Sequence, residues 1–407
     1  MKERRTIIAS VVIVHLAVLV FLGSSMMGEA GRTNGWLNGQ FSGKQAVVNH
    51  PTVGNTPSRV SPLYNDSTVV SDADLAMVLG KIRPRFSRKK LKPNFIEHAL
   101  RTWGVQSKFN DQAVMSGEEM RDVLIDHGNY VKSWSTEIDP LLQDQTHGVS
   151  VRWGRAAGAS VHHDHLLASL TEAGVSLDTR IYPPGGKSRT FNDLLQESFR
   201  DFRLDEREVE WSAMAYSLWF APTVKSWKLS DGRRMSFDQI AQRLMRGHSR
   251  FGVCNGTHRV YSLTLLIRLN QQHHILSTEV TQKVMSHLRQ VRDHLIASQF
   301  SDGHWPSNWS EGLKPNENSI DDADFKKVIA TGHHLEWQAI APQELQLDRK
   351  RICRAAKWLI HDVRTHDGSH ILRRFTFYSH VGSALAAWRG TTPYGFWRNH
   401  LAKQASQ

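Results

Sequence analysis

The residues of this chain best suited to chemistry lie in the run Thr331-Gly332-His333-His334-Leu335-Glu336-Trp337. With Thr331 as a helix cap, His333, Glu336 and Trp337 fall at i, i+3 and i+4, so an acid/base imidazole, a carboxylate and an aromatic ring share one helical face. The plain alternative is a structural cap whose polar groups serve hydrogen bonds between helices. A second candidate is Gly252-Val253-Cys254-Asn255-Gly256-Thr257-His258, where two glycines allow a sharp turn and a following helix presents free N–H groups to an anion or a polar substrate group. Against it stands a simple turn in which Thr257 caps the helix.

Two further segments carry the right residue types with weaker spacing. Ser160-Val161-His162-His163-Asp164-His165 has the donors of a metal site, but neighbouring side chains on a helix diverge, and only His162 and His165 can share a face. It is read as a solvated or hydrogen-bonded cluster, and neither a metal nor a cofactor is assigned to the chain. Asp205 to Ala221 places Glu208 and Glu210 before an apolar, aromatic stretch that includes Trp211, Tyr216, Trp219 and Phe220. Apolar residues around most of the circumference imply an internal helix. Glu208 or Glu210 could then serve as a second carboxylate facing Glu336, as glycan cleavage requires; an ordinary first-turn glutamate complementing the helix dipole is the alternative.

The elements that must position these groups are helical. Periodic apolar residues from Val70, from Pro93 and from Ser116, where Ser116 and Glu119 make a capping box, are followed by further helix starts near Ser160, Thr190, Asp205, Ser236, Thr257, Thr278, Asp322, Thr331, Asp348, Thr376 and Pro393. Only Val149 to Trp153 and Arg180 to Pro184 look extended. The class is all-α. An apolar helix end, an Asp-Gly bend and a new start recur, with Asp-Gly pairs at Asp231, Asp302 and Asp367, as expected of about six helical hairpins closing into a ring.

Leu295, Gln299, Asp302-Gly303 and Trp305 resemble the glutamine-tryptophan repeat of the terpene cyclase and prenyltransferase superfamily, and Phe251 to Leu269 resembles the glycine-rich loop and inner helix of those α/α toroids. The resemblance implies a toroid whose inner helices begin at the mouth of a central cavity, with Asn255 and His258 there. The second copy of the repeat lacks both Gln and Trp. The cyclase acid motif has only Asp321-Asp322-Ala323-Asp324 in its place, in a different order, and the zinc-binding Asp-x-Cys pair of the protein prenyltransferases is absent, so neither activity carries over. Gly332 to Trp337 is also similar to a motif of the N-acylglucosamine 2-epimerase group, which implies a proton-moving His333 and a Trp337 that walls a sugar ring.

The N-terminus sets the expected location. Ile7 to Leu22 is an apolar run broken only by His15, and Lys2-Glu3-Arg4-Arg5 before it is the flank that stays in the cytoplasm. Residues 1–28 are read as a signal-anchor helix in the cell (inner) membrane, a cleaved signal peptide being the alternative. Residues 29–70, rich in Gly, Asn, Ser and Pro, are read as a flexible linker, and 71–407 as one exported domain. The net charge of +12 suits anionic surfaces such as lipid headgroups or acidic glycans; no nucleic-acid motif accompanies it. Cys254 and Cys353 allow either one bridge or two free thiols.

Two function classes remain. The first is an enzyme or enzyme-like binder acting on a lipid-linked, glycan or isoprenoid substrate, with His333 as acid/base, Glu336 orienting it, Trp337 stacking, and Asn255 and His258 holding a polar group. Trp305 and Tyr216 would join Trp337 in lining that cavity. The second is a noncatalytic scaffold in which the histidines are structural.

Overall fold

The computed structural model describes residues 48–186, 188–246, 253–317 and 322–406. The N-terminal anchor and residues 29–47 of the linker lie outside them; among the described residues no helix is long and apolar enough to cross a membrane.

The protein is all-α, with three short antiparallel hairpins: Leu142–Asp144 with Val149–Val151, Arg180–Ile181 with Arg189–Thr190, and Ser226–Lys228 with Arg234–Ser236. The helices in chain order are α1 (Asp72–Lys81), α2 (Pro93–Trp103), α3 (Gly117–Ile125), α4 (His127–Ser133), α5 (His165–Glu172), α6 (Phe191–Asp201), α7 (Glu210–Phe220), α8 (Phe237–Met245), α9 (Thr257–His273), α10 (Thr278–Ser298), α11 (Lys314–Glu317), α12 (Asp324–Ile340), α13 (Arg349–Thr365), α14 (Gly368–Arg373), α15 (Phe375–Trp388) and α16 (Pro393–Ala405). Among them α2, α5, α7, α9, α12 and α15 pack in a cycle, each against the next and α15 back against α2. Helices α3, α6, α8, α10, α13 and α16 alternate with them in sequence and lie outside.

The two sets differ as burial demands. Every residue of α7, and every residue of α12 from Val328 to Ile340, is buried, so these helices have no solvent face. Outer helix α10 buries a single stripe, Val280, Val284, Leu288, Val291 and Leu295, and α13 buries Ile352, Ala355, Ala356, Leu359, Ile360 and Val363. That stripe is the ordinary signature of a helix with one wet side. The Ser116–Glu119 capping box forms as expected.

The turn around Gln299 ties one hairpin to the next. Gln299 Nε2 donates to the carbonyls of Gly303 and Arg351, its Oε1 accepts from Arg354, and Trp305 Nε1 donates to the Leu295 carbonyl at the end of α10. Gly303 holds φ +112°, and a Cβ there would lie 2.5 Å from the Arg354 carbonyl oxygen.

Two expectations require correction. Thr331 does not cap a helix: it lies inside α12, where its Oγ1 accepts from the Trp305 N–H. Gly332 imitates a break in the sequence but lies inside α12 where it faces Val381 and His380 of α15; a Cβ there would meet them at 3.4–3.7 Å, ordinary contact distances. The linker also ends earlier than expected, because residues 48–70 lie along the ring. Ser58 N–H bonds Leu218 O, Leu63 N–H bonds Ala339 O, Asp66 N–H bonds Trp388 O, and Tyr64 stacks on Trp388. These partners sit at the C-terminal ends of α7, α12 and α15, so the segment is a strap across that end of the ring.

Gly303→Ala is expected to cost about 3 kcal/mol in urea unfolding, from left-handed strain plus a backbone clash. Gly232→Ala, at φ +83° with open space around it, should cost only about 1 kcal/mol.

Candidate functional site

Polar side chains from five of the six inner helices, α2, α5, α9, α12 and α15, meet inside the ring. Arg101 on α2 is the hub: its guanidinium pairs with Glu172 at the end of α5 through Nε and with Glu336 Oε1 of α12 at 3.4 Å through Nη2. Tyr261 of α9 donates to Glu172 Oε1 at 2.9 Å, and Arg101 stands 5.2 Å from the Tyr261 ring centroid. Arg101 is therefore satisfied by neighbours on three other helices and stays charged although its side chain is only 7% exposed.

Glu336 joins this hub to the histidines. His380 Nδ1 lies 2.9 Å from Glu336 Oε2, which can only accept, and 3.3 Å from Arg101 Nη1, which can only donate; the shorter contact, to the carboxylate, favours the proton on Nδ1. Burial alone would push the Glu336 carboxyl up, but Arg101 and the facing His380 hold it well below the usual carboxylate range. His333 Nδ1 is 3.6 Å from the same oxygen, too far for a hydrogen bond.

Three imidazoles then stack edge to face: His333 and His380 with ring centroids 3.7 Å apart, His258 and His333 at 4.6 Å, and His258 and His380 at 5.4 Å. Burial, and next the neighbouring imidazoles, keep His258 and His380 well below the ordinary histidine range, so both rings are neutral; burial lowers His333 against the opposing pull of Glu336. Nε2 of His258, Nε2 of His380 and both nitrogens of His333 have no hydrogen-bond partner. Such orphaned buried groups cost about 1–3 kcal/mol each. The set is shielded from water, with His258 2%, His333 and His380 3%, and Glu336 8% exposed. Next to it, Cys254 and Asn255 are both held at positive φ, 48° and 60°, and lead through Gly256 into α9.

A second buried pair adjoins the first. His165 Nδ1 of α5 lies 2.5 Å from Glu97 Oε2 of α2, both side chains are fully buried, and Trp211 of α7 packs on His165 and His258. Burial pushes the Glu97 carboxyl up to about 8, so it is mostly protonated at neutral pH.

The structure places the sequence candidates unevenly. It brings His258, His333 and Glu336 together. Trp337 and Trp305 pack elsewhere, around His334: Trp337 Nε1 donates to His334 Nδ1 at 3.1 Å, and Trp305 and Trp309 lie edge-on to the same ring. The sugar-stacking role expected of Trp337 is corrected accordingly, since its ring is fully buried in that cluster. Tyr216 lies in an aromatic group with Phe199, Phe202 and Phe220 and bonds Ser198, and the Asn255 carbonyl accepts from Trp309 Nε1. Glu208 pairs with His162, and Glu210 lies 3.6 Å from Arg259, so neither supplies the carboxylate opposite Glu336. The helix expected from Ser160 starts instead at His165, because Asp164 is left-handed and turns its carboxylate to Ser198 and Ser212. Cys254 and Cys353 are both free thiols.

Sequence reasoning missed Arg101, Glu97, His165 and His380. His165 was seen only as part of a local histidine cluster. The one usable signal was at His380, an ionisable residue on Phe375–Trp388, a helix otherwise apolar nearly all round. No family model, curated protein or solved structure matches the chain.

Because the folded Glu97 holds its proton up to about 8 against an ordinary 4.5, its contribution to stability is complete below about 4.5 and is lost as pH rises through about 8. Glu97→Gln should therefore gain melting temperature relative to the parent as pH is raised across that window. A constant difference between the two proteins would remove the protonated carboxyl from the account.

Proposed function

We propose that this chain is an exported, membrane-anchored protein built on an α/α toroid of the terpene cyclase and prenyltransferase type, and that it binds and transforms the glycan part of a free or lipid-linked substrate at the ring centre. The cycle of six inner helices with alternating outer helices supports the toroid reading. The observation that carries the functional reading is the set of unpartnered nitrogens on His258, His333 and His380 beside a Glu336 carboxylate kept ionised by Arg101.

Cost decides between this reading and a scaffold. A ring interior needed only for packing is more stable when filled with apolar side chains than with ionisable ones whose bonds are incomplete. Natural interiors depart from that rule chiefly at functional sites. The polarity also favours a sugar over an isoprenoid: Arg101, Glu172, Tyr261, Glu336 and three imidazoles suit hydroxyl and amide groups, whereas a hydrocarbon chain needs an apolar wall.

The scaffold reading keeps one observation in its favour, the nearly complete burial of the set. Stability separates the two without knowledge of the substrate. Compared as metal-free proteins after chelation, His334→Leu removes the acceptor of Trp337 and should cost about 1–3 kcal/mol, whereas His333→Leu removes only orphaned nitrogens and should leave stability equal or higher. Full-length protein in detergent would then be incubated with cell-wall oligosaccharides and a lipid-linked oligosaccharide, with products read by mass. The reading expects a product from the parent that is lost in His333→Leu although that variant is no less stable than the parent when both are metal-free. Absence of product together with a destabilised His333→Leu would establish the scaffold instead.

A further inference from the structure

We infer that the ring centre is a metal site, in which His258, His333 and His380 bind one divalent transition-metal ion of the zinc class. The inference rests on reading this centre as a ligand-binding one, and is independent of the reaction carried out there.

Three features of the geometry converge on it. One donor atom from each of Cys254, His258 and His333 lies within 4.8 Å of the others, and the same holds for His333, Glu336 and His380, so His333 is shared by two overlapping donor groups. Tetrahedral zinc with bonds of about 2.0 Å sets its donors roughly 3.3 Å apart. His258 and His380 belong to different groups, with ring centroids 5.4 Å apart, so one ion takes all three imidazoles only when these two rings close on His333. The nitrogens left without partners are the ones a metal would use. His380 gives Nδ1 to Glu336, which leaves Nε2 bare; His258 has a bare Nε2; His333 has two bare nitrogens.

Glu336 then acts as the group behind a ligand. A carboxylate accepting from one imidazole nitrogen while the other faces the ion fixes the tautomer and ring orientation, a recurrent arrangement around protein-bound zinc. Arg101 holds that carboxylate in place from the far side. The donor set is nitrogen-rich and borderline in softness, which selects zinc and its neighbours over calcium or magnesium, whose sites are built from oxygens. Three imidazoles leave a fourth position, next to the Cys254 thiol and the left-handed Cys254-Asn255 turn.

The helices explain how such a site is assembled. His258 is the second residue of α9, His333 lies mid-way along α12, and His380 stands on α15 opposite Gly332 of α12. A competing histidine pair sits at the surface, His366 and His370, with ring centroids 3.8 Å apart. It serves as the internal control.

The test uses the full chain in detergent, purified without chelator or added metal, with metal content read by mass spectrometry and zinc affinity measured after stripping. Expected are one tightly held zinc per chain and an X-ray absorption spectrum on the parent protein showing imidazole donors. His258→Gln and His380→Gln should each weaken zinc roughly a hundred-fold or more, Glu336→Gln about ten-fold, and His370→Gln should have no effect. The absorption spectrum needs no variant to fold. The inference is overturned by a parent that binds zinc no better than buffer exchange removes it, by a spectrum without imidazole, or by loss of zinc in His370→Gln with retention in His258→Gln and His380→Gln. Since zinc is read without substrate, failure to find glycan turnover leaves this result standing, and failure to find zinc leaves the turnover test standing.

Discussion

The buried guanidinium of Arg101 is the constraint on which the interior depends. A cation removed from water costs several kcal/mol unless opposite charge and hydrogen bonds replace its hydration. On a ring of inward-facing helices those partners can come only from other helices, and Arg101 takes Glu172 from α5 and Glu336 from α12, with Tyr261 of α9 against its face. One residue of α2 thereby sets the rotation of three further helices. It also keeps Glu336 ionised, and Glu336 in turn sets which nitrogen of His380 carries the proton.

The rest of the fold divides apolar and polar work by position. Outer helices bury one stripe each and face water on the other side. Inner helices are buried all round, apolar where they meet the outer layer and polar where they meet one another. Glu210 and His258 stand at the first turns of α7 and α9, whereas the strap of residues 48–70 crosses the C-terminal ends of α7, α12 and α15.

How much of this was legible in the sequence follows from the range of each interaction. Local signals read well: Ser116 with Glu119 announced a cap, the stripes of α10 and α13 announced helices, and the turn at Gln299, Asp302-Gly303 and Trp305 announced a hairpin junction. The all-α class followed from these. His258, His333 and Glu336 were singled out by unusual residues in short motifs, and they do converge. Arg101 and Glu97 were illegible because their meaning lies in contacts with helices far along the chain, and nothing in Pro93–Trp103 read alone distinguishes a buried arginine from a surface one. Gly332 misled for a related reason: a glycine inside a helix and one that ends a helix look alike until the neighbouring helix, with Val381, is in place.

The central claim is that the charged network is kept for what it holds and not for the stability it gives. The most direct measurement is the unfolding free energy of the triple variant Arg101→Met, Glu172→Leu, Glu336→Leu beside that of Arg101→Met alone. Removing only the cation strands two buried carboxylates and should cost about 3–5 kcal/mol, while replacing all three by apolar side chains should return stability to the parent level or above. A triple variant as unstable as the single one would show that the network is required by the fold, and would contradict the account.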